Sequence, residues 1–254
     1  MVSKKVIYVR KMDGRTELYN PFKLKRSLRK AGAGKETIRL IMSEVEKILH
    51  NGIETKELFN FIFRELNERE KESATKYNLK NAIIDLRLEG GYVFEKFMGR
   101  VFEKKGYNVK LNQLMKGKLI THEIDVSAFK GSEKLMVECK HHSKPWLGTR
   151  VDTALYVYAR FLDLKDSFNK AALVTNTKFS SQVIRYGRGV GMKLMGWNYP
   201  KGDSLQENIE KFKLYPITIL NLPKTEINDY IARNILTVEE LRKIKPKVVE
   251  KNIS

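Results

Sequence analysis

Residues 6–18 alternate. Val6, Tyr8 and Arg10 fall on one side and Ile7 and Val9 on the other; Asp13-Gly14 follows, then Thr16 and Leu18. Period-two spacing on both sides of an Asp-Gly pair predicts a β-hairpin with a tight primed turn, which needs positive φ. The period changes at Asn20-Pro21, where Asn20 suits a helix cap and Pro21 the first helical turn. Phe22, Leu24, Leu28 and Ala31 then mark a helix that stops in Gly32-Ala33-Gly34. Ile38, Ile41, Met42, Val45, Ile48 and Leu49 mark a second, ending at Asn51-Gly52. A third opens at Thr55 and carries Leu58, Phe59, Ile62, Phe63 and Leu66. A fourth opens at Ser73 and carries Tyr77, Leu79, Ile83, Ile84 and Leu86.

Gly90-Gly91 reads as a boundary. Tyr92–Lys105 is helical in pattern, with Val93, Phe94, Phe97, Val101 and Phe102 inward, and Gly106 ends it. Strand patterns follow: Tyr107-Val109-Leu111, Ile124-Val126-Ala128 and Leu135-Val137-Cys139, the last two joined by the turn Lys130-Gly131-Ser132. Residues 152–165 read as helix, 171–175 as a buried strand, 180–187 as helix and 192–197 as a last strand. The order α-β-β-β-α-β-α-β predicts a mixed α/β layer fold. Two short helical patterns, around Glu226–Arg233 and Val238–Lys245, close the chain and read as an arm packed on the sheet. Gly187-Arg188-Gly189-Val190-Gly191 lacks the Lys-Ser/Thr ending of a phosphate loop and reads as a helix stop. The expected domains are therefore 1–88, 89–222 and a helical tail, 223–254.

Composition narrows the function. The chain has 254 residues, 42% of them hydrophobic, enough for a core and against wholesale disorder. A single cysteine, Cys139, excludes a disulfide scaffold and a cysteine-rich zinc site and points to a reducing, cytoplasmic setting. No apolar run is long enough to span a bilayer, and Met1–Arg10 has no signal-peptide core. The formal charge is +19, which favours a polyanionic partner, although a lysine-rich surface of a heat-adapted protein would look similar. The excess is spread over the chain: 20 basic against 13 acidic residues in 1–89, 22 against 12 in 90–220, and 7 against 5 in 221–254. With no basic tail, any basic surface is built by folding.

Against that basic background, acids stand where strands should be apolar: Asp125 in His122-Glu123-Ile124-Asp125-Val126 and Glu138 in Met136-Val137-Glu138-Cys139-Lys140. Glu138 and Lys140 are two apart, so a strand points both to one face, and the turn lets Asp125 face Glu138 across a hairpin. Two carboxylates and an ammonium in one small volume suit a hard divalent cation, which takes one or two carboxylates, waters and a substrate phosphate. A lysine there can orient or deprotonate water, or hold the phosphate. A plain cross-strand ion pair on a solvated face is the alternative.

The runs Gly91-Tyr92-Val93-Phe94-Glu95, His122-Glu123-Ile124-Asp125-Val126, Val137-Glu138-Cys139-Lys140-His141-His142 and Ala172–Ser180 resemble the Mrr-type branch of the PD-(D/E)xK nucleases, over roughly residues 90–200. The resemblance implies a restriction-endonuclease-like mixed-sheet core that hydrolyses DNA phosphodiesters with Mg²⁺ or Mn²⁺. It implies Asp125 and Glu138 as metal ligands with the Cys139 carbonyl, Lys140 as the catalytic lysine and Glu95 as an additional helical acid. His122 and His141 would stand beside the site, within reach of phosphate or metal-bound water, or as plain surface histidines.

Residues 1–88 resemble the ATP-cone, the regulatory nucleotide-binding module of ribonucleotide reductases. The resemblance rests on Val9–Glu17, Pro21-Phe22-Lys23 and Asn51-Gly52-Ile53-Glu54-Thr55. Lys11 and Lys23 can neutralise phosphates, and Thr55 at a helix N-terminus adds a hydroxyl and free N–H groups. Arg10, Lys11, Glu17, Lys23 and Thr55 would be the contacts to ATP or dATP. Met12, Phe59 and Leu88 depart from the cone pattern, so loss of nucleotide binding is the alternative.

The expectation is a metal-dependent DNA endonuclease, regulated by ATP or dATP, with DNA and nucleotide as partners and no membrane. One site per chain cutting two strands would favour a homodimer. The alternative is a silent nuclease fold that binds DNA or protein, or senses nucleotide.

Overall fold

Asn20 ends the N-terminal hairpin and starts the first helix. Its side chain accepts hydrogen bonds from the N–H groups of Phe22 and Lys23, and Pro21, which has no N–H to satisfy, takes the first helical position. The computed structural model describes residues 6–88 and 92–253, so the Gly90-Gly91 joint and the Gly91 of the nuclease-like motif lie outside the described residues. The chain divides into two units: Met1–Leu79 with Glu250–Ser254, and Lys80–Val249.

In the first unit, β1 (Tyr8–Arg10) and β2 (Thr16–Leu18) pair antiparallel with Val9 opposite Glu17. The turn between them is wider than the Asp-Gly pair foretold. Lys11 N–H donates to the Arg15 carbonyl at 2.7 Å and Gly14 N–H to the Lys11 carbonyl at 3.0 Å, and within this turn only Gly14, at φ 83°, has the left-handed backbone. The helices α1 (Pro21–Lys30) and α2 (Lys35–Ile48) follow. The short strand β3 (Ile53–Glu54), not apparent from alternation, adds parallel to β1 and gives the order β2-β1-β3. Two residues are too few to show a period. Next come α3 (Thr55–Arg69) and α4 (Lys71–Asp85). The fourth helix begins two residues before Ser73, whose hydroxyl donates to the Glu70 carboxylate. Leu24, Leu28, Ile41, Val45, Ile62 and Leu66 form the core.

The second unit opens with α5 (Val93–Lys104), which packs its buried Phe94, Phe97, Met98 and Val101 inward. β4 (Asn108–Lys116), β5 (Thr121–Lys130) and β6 (Glu133–Lys140) form an antiparallel meander. The remaining elements are β7 (Gly148–Thr149), α6 (Val151–Asp163), β8 (Lys170–Thr175), β9 (Lys178–Phe179), α7 (Ser181–Gly189) and β10 (Lys193–Met195). The main sheet runs β10-β8-β6-β5-β4, parallel from β6 to β10, and β7 pairs with β9 apart from it. This is a mixed α/β fold. Ile124, Met136, Leu173 and Leu194 of the sheet pack with Ala154, Val157 and Phe161 of α6 and Val183 of α7. Gly99 of α5 lies so close to Leu111 that a Cβ there would be 3.0 Å from its Cδ2, which brings α5 down on β4.

The C-terminal helices are α8 (Leu205–Phe212), which the hydrophobic spacing did not reveal, then α9 (Lys224–Ala232), α10 (Val238–Ile244) and α11 (Pro246–Ile253). Thr237 and Glu240 form a capping box at α10. Arg100 and Lys104 of α5 then pair with Glu240 at 2.8 Å and Glu239 at 3.3 Å. Within the tail, α10 thus lies against α5.

Candidate active site

The ladder between β5 and β6 stops at Val126–Val137, one step short of Asp125 and Glu138. On the other side of β5 the ladder joins Leu111 to Val126 and Gln113 to Ile124, with no pair between Asn112 and Asp125. Asn112 has φ +49°, an uncommon backbone for a residue with a side chain. Asp125 therefore stands where the strand pairing opens. It is not an ordinary cross-strand partner of Glu138. Instead its Oδ2 accepts the Cys139 N–H at 2.7 Å, filling in for a strand carbonyl.

The sequence-predicted acids stand near one another around that gap. Burial pushes the Asp125 carboxyl up, against the hydrogen bond from Cys139 and the charge of Arg160, which hold it down. Glu138 is pushed up to about 7, first by burial and then by the Asp125 charge. Glu95, in the first turn of α5, is raised by burial and by Asp125 and Glu123. The Cys139 thiol is buried and held well above its ordinary value by burial and by Asp125, Glu95 and Glu138, so it is inert as a nucleophile. Lys140 is exposed, and its charge acts on both Asp125 and Glu138.

One member of the cluster was missed. Arg160 of α6 donates from Nη1 to Glu138 Oε2 at 2.5 Å, with side chains 9% and 17% exposed. Its Nε is buried without a partner among the described residues, and its guanidinium lies 5.2 Å from the Tyr156 ring centre. The signal was present: Ala154, Val157 and Phe161 mark the buried stripe of α6, and Arg160 sits in it as a lone charge.

The two histidines turn elsewhere. His122 is buried and its Nε2 meets Asp163 Oδ2 at 2.8 Å. His141 Nε2 meets the Ile83 carbonyl at 3.0 Å, and burial lowers its pKa. The first is thus neither at the acid pair nor on the surface, the two places expected for it; the signal for this lies in its parity, which His122 shares with inward Ile124, opposite to Glu123 and Asp125.

The donor set fits a hard divalent cation. Two buried carboxyls pushed up by burial, Glu138 also by the Asp125 charge, make the environment in which a positive ion favours the charged forms. Among the described residues no group of three or more His, Cys, Asp or Glu side chains is gathered tightly enough to bind a metal alone. Carbonyls, waters or substrate oxygens would have to complete the shell.

In the first unit, Glu17 pairs with Lys11 at 3.1 Å and with Lys23, and both hold its carboxyl below the usual range. Arg10 pairs with Glu54 at 2.6 Å. Thr55 opens α3, but its hydroxyl donates to the Arg10 carbonyl at 3.0 Å. The five residues expected at the nucleotide thus lie on and beside the small sheet, already paired or bonded to one another or to Glu54.

A mixed sheet opened at an acid pair, with helices packed on it, defines a restriction-endonuclease-like domain. The family model described as ATP cone domain matches residues 7–80, and the one described as restriction endonuclease, of the Mrr catalytic type, matches residues 87–198. An uncharacterized protein of Archaeoglobus fulgidus is 39% identical over 140 residues, which are 55% of this chain and 80% of that protein. A crystal structure of a protein of unknown function shares 34% identity and a TM-score of 0.56, over 63% of this chain and 87% of that one. The MspJI restriction endonuclease, solved with a 27-mer oligonucleotide, shares 15% identity and a TM-score of 0.38, over 55% of this chain and 32% of that one. The chain belongs to the Mrr-type restriction-endonuclease-like proteins of the PD-(D/E)xK superfamily, here with an ATP-cone domain at its N-terminal side. No helix among the described residues is long and apolar enough to cross a membrane.

Proposed function

We propose that the chain is a Mg²⁺- or Mn²⁺-dependent DNA endonuclease. The observation that carries this is the open ladder at Asp125, which leaves two mutually repelling carboxylates beside Lys140 in a basic domain. Asp125, Glu138 and the Cys139 carbonyl would hold the ion, which supplies charge neutralisation at the scissile phosphate. Lys140 orients the attacking water or takes its proton. Cys139 N–H fixes the Asp125 carboxylate in place. Glu95, from α5, adds a further acid facing the same charges. One site per chain makes a homodimer the economical form for cutting both strands.

The first unit would add regulation. Lys11 and Lys23 would exchange Glu17 for the phosphates of ATP or dATP, with Arg10 and Thr55 at the rim. A second reading rests on Arg160. Its ion pair already neutralises Glu138, as suits a nuclease fold kept only for binding.

Purified protein incubated with plasmid and linear DNA, with Mg²⁺ or Mn²⁺ and with or without ATP, tests these readings. Cleavage that Asp125→Ala and Lys140→Ala abolish, while DNA affinity is kept, is the expected result. DNA binding without cleavage in either metal would leave the binding reading standing and sink the catalytic one.

A further inference from the structure

The tip of the β4–β5 hairpin, residues 116–121, holds two large aliphatic side chains out in water. Leu119 is 81% exposed and Ile120 63%. Isolated exposed leucines are ordinary, and loops are usually the more mobile part of a surface. This tip is clamped. Asp163, the last residue of α6, accepts Leu119 N–H at Oδ1 (2.8 Å) and Ile120 N–H at Oδ2 (3.2 Å), and its carbonyl accepts Lys118 N–H at 2.9 Å. Gly117 N–H closes the turn on the Ile120 carbonyl at 2.8 Å. Gly117 has to be glycine, because a Cβ there would run into the Asp163 carboxylate and the Ile120 carbonyl. His122 holds Asp163 from the other side at 2.8 Å, and both side chains are nearly buried. A buried His–Asp pair thus fixes the backbone of a turn whose two aliphatic side chains touch water.

The surroundings of the tip say what it meets. Lys116 and Lys118 directly precede the aliphatics, and the segment 116–121 has no acid. Both lysines are exposed. Leu114, 77% exposed, lies two residues back along the edge strand. Thr121 and Glu123 point outward in alternation with buried His122 and Ile124, and Asp125 comes next in that alternation. Four strand steps at ~3.4 Å put the tip about 14 Å along β5 from Asp125. That is about four base pairs of duplex.

We propose that this tip is a DNA wedge: Lys116 and Lys118 seat on phosphates, and Leu119 with Ile120 enters between base pairs about four steps from the scissile bond. Leucine and isoleucine are among the side chains that proteins insert at base steps, and the clamped backbone holds both in place for it. The inference rests on the reading of DNA as the substrate. It adds a contact outside the acid cluster that bends or unstacks the duplex toward the site.

The test uses the full chain in EDTA, so that binding is read without cleavage. The probes are a short duplex carrying 2-aminopurine at alternate positions, whose fluorescence rises on unstacking, and the same duplex unlabelled. The variants are Leu119→Ser/Ile120→Ser, which leaves every main-chain bond of the clamp in place, and Lys116→Ala/Lys118→Ala. The native chain should raise the fluorescence. The aliphatic pair variant should lose that rise and bind about tenfold more weakly. The lysine pair variant should lower the slope of log affinity against log salt by about 1.8. Native mass in solution should be unchanged in both. Equal affinity and equal fluorescence for the aliphatic variant overturn the wedge while cleavage by the native chain keeps the nuclease reading. A change of oligomeric state in place of a change in DNA affinity overturns it too, and makes the tip a contact between copies. A native chain that neither binds nor cuts DNA overturns both.

Discussion

Replacing Glu138 by glutamine should change how the stability of the second unit depends on pH. The Glu138 carboxyl rises from 4.5 to about 7 in the folded chain, because it is buried next to Asp125. The folded state therefore binds its proton more tightly than the unfolded state does. The stabilisation this gives is fully present below pH 4.5 and is lost as pH rises through 7. A rise of about two and a half pH units corresponds to about 3 kcal/mol. Asp125 and Glu95 are raised too and add in the same direction. His141 and His142 are lowered and act oppositely over the same range, so the wild-type curve alone would mix the two. The difference between wild type and Glu138→Gln removes the histidine contribution. Both tryptophans, Trp146 and Trp197, lie in the second unit, so urea unfolding followed by their fluorescence reads that unit by itself. From pH 5 to pH 8.5 the wild type should lose about 3 kcal/mol relative to Glu138→Gln. Millimolar Mg²⁺ should remove much of that loss, since a cation between the carboxylates favours their charged forms. A pH-independent difference between the two proteins would refute the reasoning, because it would mean that Glu138 titrates alike in both states.

Three further outcomes follow from single contacts. Arg160→Leu leaves Glu138 without its counter-charge and should destabilise the second unit by about 3 kcal/mol at pH 8 and less at pH 5, where Glu138 takes up a proton; the same fluorescence titration reads it. Asn20→Ala removes the acceptor for two N–H groups at the start of α1 and should cost about 1 kcal/mol, seen as faster hydrogen exchange at the amides of Phe22 and Lys23. Lys11→Ala should weaken ATP or dATP binding about tenfold by calorimetry; nucleotide affinity equal to wild type would take Lys11 out of the phosphate site.

The helices were legible because their cores repeat at helical spacing. Leu24 and Leu28, then Ile38, Ile41 and Val45, are the residues that the spacing singled out and the structure buries. Strand ends were less legible. β4 reaches Lys116 and β5 begins at Thr121, both farther than the apolar alternation extends, because an edge hairpin open to water tolerates polar and exposed residues in either parity. α8 escaped notice in Leu205–Phe212, where it buries Leu205, Asn208 and Ile209; an asparagine in the stripe, bonded to Asp203 and Ser204, hides the period.

By itself the sequence determined the change from helical to strand-like spacing along the chain, the acids Asp125 and Glu138 standing in strand runs near Lys140, and the basic background they stand in. Those are properties of residue type and near spacing. Tertiary structure decided the rest. That the β5–β6 ladder opens one step before Asp125, that Arg160 reaches Glu138 across 22 positions of sequence, and that Asp163 reaches back to clamp a turn more than forty positions earlier are matters of which elements meet. Periodicity reports which face of an element is buried, but not what lies against it. Contacts between distant segments depend on the packing of the whole sheet.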